Sequence, residues 1–537
     1  MADTRDAIAE AFDYVIVGAG SAGCVLANRL SDGGQASVLL LEAGKSDKTP
    51  FLQIPVAAVV TLPRRFHNWA YETVPQAGLG GRRGYQPRGK VLGGSSSTNA
   101  MIYTRGSRAD YDRWAAMGAT GWSFDEVLPY FLRSEDNEVH GPPYHGRGGP
   151  LSVANLRTGN PVPEAFVQAA IQCGYKRNAD FNGPSQEGFG HYQVTQRDGL
   201  RCSASKAFLD AAAGRQNLAV ATEAHATRVV FEAQRAAGVE YLRSGRRQLA
   251  RARREVILSS GAFGSPQLLM LSGIGPGEHL QALGIPVLVD APGVGANLHD
   301  HPDVIFAYTS DSTELLGLAP RGFARQLREI GRFRRDRTGM ITTNFAEAGG
   351  FLRTRPDEDE PDAQLHFVVA IVADHARKLY FSLGFSCHVC VLCPRSRGTL
   401  RLASPDPLAA PLIDPAFLSD AGDVERLVRG FRLTREILEA PALAPYRKKE
   451  LWTAGIRDDE AIRALLRQRV DTVYHPVGTC RMGSDARAVL DPALRVRGVE
   501  GLRVVDASVM PRVVSGNTNA PTIMIGEKGS ELILQEA

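Results

Sequence analysis

The chain lacks a charge bias: 62 Lys and Arg stand against 58 Asp and Glu, a formal net charge of +4 over 537 residues. A nucleic-acid partner would call for a larger and more clustered basic excess, so none is expected. Cysteine is scarce as well. Seven of them, an odd number, do not make a disulfide framework, and a reducing cytoplasm is the expected location. No apolar run approaches the roughly 18 residues of a membrane-crossing helix. The opening MADTRDAIAEAFDYVIVGAG has no basic leader, apolar core or small-residue cleavage site. Length alone suggests about three to four domains. Glycine is the one excess: 55 residues, about a tenth of the chain against a usual 7% or so.

The glycines have addresses. FDYVIV reads as a short buried strand, and GAGSAG follows it directly with Gly18, Gly20 and Gly23. CVLANRL then has helical spacing, and the next apolar run, SVLLLEAG, ends on Glu42. This is a dinucleotide fingerprint in its required context of strand, glycine turn, helix, strand and acid. Gly18 allows the turn, Gly20 lets the backbone approach a pyrophosphate, and Gly23 lets helix and strand pack closely. The phosphates would sit at the helix N-terminus, and Glu42 would accept from ribose hydroxyls. The motif establishes ADP-ribose recognition without separating FAD from NAD.

Further glycine clusters follow: PRGKVLGGSSSTNAMIYTRG, GAFGSPQLLMLSGIG after the strand EVILSS, APGVGANLHDHP, YHPVGTCRMG and the closing LRVVDASVMPRVVSGNTNAPT. Strand–turn–helix signals thus occupy the beginning, middle and end, with more variable stretches between them. The expected architecture is α/β: a discontinuous Rossmann-like cofactor domain (1–154, 196–309 and 466–537) with an inserted α+β substrate domain on an antiparallel sheet (155–195 and 310–465). In the tail, His475 lies in a glycine-punctuated turn and Asn519 lies 44 residues later. A histidine is the natural acceptor for an alcohol proton near neutrality. An amide beside it can hold the same oxygen without competing as a base.

These six ordered motifs resemble the glucose–methanol–choline oxidoreductases along almost the whole chain. QVTQRDGLRCSASKAFL and TVYHPVGTCRMG look most like the bacterial medium-chain alkanol and polyethylene-glycol dehydrogenases within that family. The resemblance implies FAD and oxidation of a primary alcohol to the aldehyde, with hydride passing to flavin N5. It implies His475 as the base, Asn519 as its partner, and a quinone or similar electron acceptor. Gly18, Gly20, Ser21, Gly23, Glu42 and Ala43 match the adenosine and pyrophosphate site, and Gly93, Gly94 and Asn99 match the block along the flavin. Ala226 falls where adenine is bound through backbone groups. Asp506 and Ala507 match the returning strand. Thr98 stands where covalently flavinylated members carry a histidine, so non-covalent FAD is expected. Ala100 replaces a serine of the choline oxidases, which weakens the choline-oxidase reading. Choline dehydrogenase, an O2-using oxidase and a non-catalytic flavin-binding protein are the competing readings.

Two clusters are declined as metal sites. Cys387, Cys390 and Cys393 spell C-x2-C-x2-C, but on a strand residues i and i+3 point to opposite faces. His299 and His301 flank Asp300 in a loop that matches a family segment. The arginine-rich stretch 321–337 places Phe323, Leu327 and Ile330 at helical spacing. A solvated helix is its plain reading; a basic amphipathic surface on the inner face of the cytoplasmic membrane is the sharper one.

Overall fold

A computed structural model describes residues 11–536; the residues before Ala11, on which part of the no-leader expectation rests, lie outside the described residues. Two seven-stranded sheets organise the chain. In the first, the strand Ala11–Val17 lies between Val38–Leu41 and Arg246–Leu258, parallel to both. Leu218–Ala221 extends one edge and Leu502–Val504 pairs with Arg246–Leu258, again in parallel. The near-continuous apolar character of YVIV and VLLL follows, because helices cover both faces of a parallel sheet. The helix Ser21–Leu30 is built from small residues, and the closing helix Asn519–Gln535 packs against it. A Cβ on Gly526 would stand 3.1 Å from the Ala22 backbone, so the two helices meet backbone to backbone. Glu527 is buried between them and receives both Arg29 and Arg133. The ends of the chain therefore close one domain.

The second sheet is antiparallel and runs Glu450–Leu451, Pro302–Ser310, Leu383–Val391, Ala363–Val368, Ala346–Leu352, Gly188–His191, with Asp471–Thr472 alongside Pro302–Ser310. One face packs under the helices Val162–Gln172 and Ala421–Glu439, where Phe166 stacks on Phe367 and Phe306 meets Phe431. The other face carries Tyr192, Val368 and Cys390. Cys387 belongs to the first face and Cys390 to the second, as strand alternation requires. One boundary moves. Residues 302–309 are expected in the cofactor domain and Ser310 in the substrate domain, yet the strand Pro302–Ser310 pairs along its whole length into the second sheet. Its alternation was hidden because both faces are buried.

Candidate active site

A cleft of about 400 Å³ runs between the two sheets. Its floor is backbone. Gly18 sits at φ +99°, a conformation that favours glycine, and a Cβ there would lie 2.5 Å from the Ser259 carbonyl oxygen. Gly94, at φ +54°, lies so close to Gly20 that a Cβ would stand 2.7 Å from its Cα. Gly23 does not line the cleft; a Cβ on it would meet the Gly18 carbonyl oxygen at 1.9 Å, so its task is helix–strand packing. Gly18, Gly20, Ser21, Glu42, Ala43, Gly94, Asn99, Ala226, Asp506 and Ala507 all line the cleft, whereas Gly93 lies just behind it.

Glu42 is buried at one end, and burial pushes its carboxyl up to about 7. Its two oxygens accept from the backbone N–H groups of Ala19 and Gly44, at 2.9 and 2.7 Å. The carboxylate therefore staples the glycine turn as well as facing the cleft. Asp506 does similar work on the opposite wall. It accepts from Gly261 N and Ser265 Oγ with one oxygen, and from Ser508 N and Oγ with the other. Near Ala226 the wall is aromatic: Trp69 stacks on Tyr71 at 5.6 Å, with His225 and Phe263 edge-on to them. Sequence reasoning missed that wall. Its one signal was NWAYE, a short aromatic alternation.

The other end holds His475, buried at the tip of its turn, with its backbone N–H on Asp300 Oδ1 at 2.9 Å. Two contacts define its ring. Nδ1 lies 3.1 Å from Nδ1 of His301, and Nε2 lies 3.2 Å from the amide nitrogen of Asn517. A chain of partners sets the proton positions. Tyr192 donates to the Leu365 carbonyl, so its oxygen accepts from the Gln364 amide. The same amide donates to Asn517 Oδ1, which also accepts from Thr104 Oγ1. The Asn517 NH2 group must then face His475, whose Nε2 is an acceptor and whose Nδ1–H points to His301. Burial holds the His475 imidazole well below its ordinary range, and His301 and His366 nearby push it the same way. Burial likewise lowers His301 to about 4 and His366 to about 3. The result is a neutral imidazole with a directed lone pair in a desolvated cleft.

The expected pairing of His475 with Asn519 is corrected by this geometry. Asn519 opens the closing helix, and its Oδ1 accepts from Ser21 Oγ at 2.8 Å, at the start of the glycine-turn helix. Asn517 lies in the irregular turn two residues earlier and is the amide that reaches the histidine. His301, set aside as a loop residue, supports the imidazole from behind, while His299 is occupied by the Asn297 carbonyl and the Val513 N–H. Gln364 and His366 are contributed by the second sheet, and no motif marked them.

A glycine-floored dinucleotide cleft that ends on a neutral, desolvated imidazole fits an oxidoreductase that carries a dinucleotide cofactor. The comparisons agree. Two family models described as GMC oxidoreductase match residues 12–303 and 394–526, leaving between them much of the second sheet. The chain is 44% identical to an alcohol dehydrogenase [acceptor] of Pseudomonas putida, over 98% of this chain and 96% of that protein. It is 45% identical to human mitochondrial choline dehydrogenase, over 97% and 89%. The crystal structure of a pyridoxine 4-oxidase from Mesorbium loti superposes with a TM-score of 0.87 at 32% identity, covering 97% and 98%. The chain belongs to the GMC oxidoreductase family. It is an oxidoreductase acting on CH–OH groups with FAD as cofactor. The residues present fit that cofactor: a floor where Gly18 and Gly94 leave no room for a Cβ, an aromatic wall at Ala226 and acceptors at Glu42.

Proposed function

We propose that the protein oxidises a neutral primary alcohol to its aldehyde and that His475 and Asn517 carry the chemistry. The carrying observation is the hydrogen-bond chain Tyr192–Gln364–Asn517–His475, which leaves Nε2 of His475 as an acceptor in the cleft. A bound alcohol displaces the Asn517 N–H from that nitrogen, which then takes the hydroxyl proton, while the Asn517 NH2 group donates to the substrate oxygen as negative charge grows on it. His301 receives the Nδ1–H and steadies the cationic ring. FAD, when bound, supplies the two-electron acceptor to which the α-hydrogen is lost as hydride. Glu42, Ala43 and Ala226 hold its adenosine end, Ser21 and Asn519 the start of the glycine-turn helix, and Gly94, Asn99, Asp506 and Ala507 the length between. Thr98 lines the cleft with a hydroxyl and no imidazole, which supports non-covalent attachment.

A neutral substrate is favoured over choline by the charge of the lining. Its two carboxylates, Glu42 and Asp506, are committed to protein N–H and O–H groups, so no free carboxylate waits near His475 for a quaternary ammonium. A quinone acceptor and peripheral contact with the inner face of the cytoplasmic membrane belong to the same reading. Among the described residues no helix is long and apolar enough to cross a membrane. Anaerobic mixing with a series of primary alkanols and with choline tests the reading through flavin absorbance. Alkanols should bleach the flavin faster than choline, and a quinone analogue should restore its colour faster than air. Bleaching by choline alone would overturn it. Acid precipitation should leave all the flavin in the supernatant.

A further inference from the structure

Fifteen large apolar side chains are exposed on the described surface, and nine of them fall in three short segments: Phe51, Val59 and Phe66; Leu318, Phe323, Leu327 and Ile330; Leu379 and Phe381. Phe381 is 83% exposed, Leu379 63% and Phe323 62%, values at which a soluble protein gains nothing from an aromatic or a leucine. The segments adjoin one another. Gly317 bridges Leu383, which brings the second to the third, and Pro55–Ala57 packs on Met340–Thr342, the turn that also supports the helix Phe323–Asp336. They also border the cleft, because Ala58, Val59 and Leu62 line it from the first segment, and Val372 and Ala376 line it from the loop before the third.

Each apolar group has basic neighbours in its own segment. Arg64 and Arg65 precede Phe66, and Arg377 and Lys378 precede Leu379. The stretch 321–337 carries seven arginines against Glu329 and Asp336. Arg321 and Arg325 are paired to Asp311 and Glu314, and Arg377 to Asp374. Arg64, Arg65, Arg334, Arg337 and Lys378 make no ion pair among the described residues, so the patch keeps a positive excess. Exposed aromatic and aliphatic groups interleaved with unpaired cations complement one surface above others: apolar chains entering below anionic headgroups, with the cations at headgroup level.

We propose that these three segments form a single docking surface for an anionic lipid bilayer, placed so that the mouth of the cleft opens toward the lipid. This rests on the membrane contact of the proposed function and extends it from one helix to a surface built around the active site. A lipophilic alcohol or acceptor partitioned into the bilayer would then reach the cleft without crossing water.

The test is co-sedimentation of the FAD-loaded protein with phosphatidylglycerol-containing and pure phosphatidylcholine vesicles. The expected result is binding to the anionic vesicles and little to the neutral ones. The Phe323→Glu/Leu327→Glu and Leu379→Glu/Phe381→Glu pairs should abolish binding, and the Arg64→Ala/Arg65→Ala pair should weaken it about fivefold per charge. All these positions are exposed, so flavin content and reduction by alcohol with a soluble dye acceptor should match wild type. Equal partitioning of wild type and variants, or no vesicle binding by wild type, would overturn the proposal. A wild-type dimer in solution that the same variants split, without vesicle binding, would assign the surface to a second copy and also overturn it. Failure to bind vesicles while alcohols still bleach the flavin removes this surface alone; the converse removes the functional reading.

Discussion

The two walls of the cleft are made differently. The cofactor wall is backbone: glycines at Gly18, Gly20 and Gly94 bring the chain within contact distance of itself, and side chains such as Glu42 and Asp506 hold backbone N–H groups in place. The wall proposed to carry the catalysis is side chain: His475, Asn517, Gln364, Tyr192 and His301 come from separate segments and are ordered by hydrogen bonds between them. A backbone wall tolerates no added atom, while a side-chain wall tolerates substitution of shape and fails on proton position. That difference can be broken at chosen places.

The largest effect belongs to the glycine turn. Gly23→Ala forces a Cβ to 1.9 Å from the Gly18 carbonyl oxygen, both atoms being held by backbone. The expected outcome is loss of the folded cofactor domain, seen as insoluble or flavin-free protein. Gly20→Ala has 3.7 Å to its nearest neighbour, so the chain should fold with its melting temperature nearly unchanged while losing flavin. Equal behaviour of the two would mean that the turn is not packed as described.

On the catalytic wall, His475→Ala should slow anaerobic flavin reduction by about 10²-fold or more while flavin stays bound. Because burial holds the wild-type imidazole below its ordinary range, it stays neutral where a free histidine would be protonated. The reduction rate should therefore stay level as pH falls through 6.5. A rate that halves near 6.5 would show a solvated histidine instead.

The same difference explains what was legible. The cofactor wall was readable because its task lies within one continuous stretch: strand, GAGSAG, helix and Glu42 stand in sequence order, and Gly18, Gly20 and Gly94 fall where the motifs place them. The antiparallel second sheet is legible as a class, but the strand Pro302–Ser310 straddles the expected boundary at 309/310, because a strand buried on both faces shows no alternation. Gln364 and His366 act through contacts more than 100 residues away along the chain, and no local spacing encodes such a contact. Asn517 was within reach. It lies in the quoted GNTNAPT, and the choice between two asparagines two residues apart depends on where the closing helix begins, a boundary that sequence places only within a few residues.

Burial lifts two glutamates to about 7, Glu42 in the cofactor wall and Glu347 in the strand Ala346–Leu352 of the second sheet, and they should answer the same substitution oppositely. Glu347 accepts from the hydroxyls of Thr343 and Thr158, which can turn to accept as readily as donate. Its folded value lies above its unfolded one, so the stability it contributes is present below about pH 4.5 and is lost as pH rises through 7, by about 3 kcal/mol. Glu347→Gln removes that titration, and its melting temperature relative to wild type should climb between pH 5 and pH 8. Glu42→Gln must aim an NH2 group at the N–H of Ala19 or Gly44, two donors that cannot turn. It should be destabilised at both pH values.

The smallest effect separates the two asparagines. Asn517→Ala removes one donor from the substrate oxygen and leaves the base, so flavin reduction should slow about tenfold with flavin content intact. Asn517→Asp should be worse than the alanine variant. A carboxylate opposite Nε2 accepts instead of donating, which draws the His475 proton to Nε2 and takes away the lone pair that must receive the alcohol proton. Asn519→Ala breaks only the contact with Ser21 Oγ at the start of the glycine-turn helix, so it should loosen flavin and leave the single-turnover reduction rate of the bound fraction unchanged. If Asn519→Ala slowed that rate and Asn517→Ala did not, the hydrogen-bond chain from Tyr192 would end at His475 without serving it. The catalytic wall would then be set by the closing helix alone.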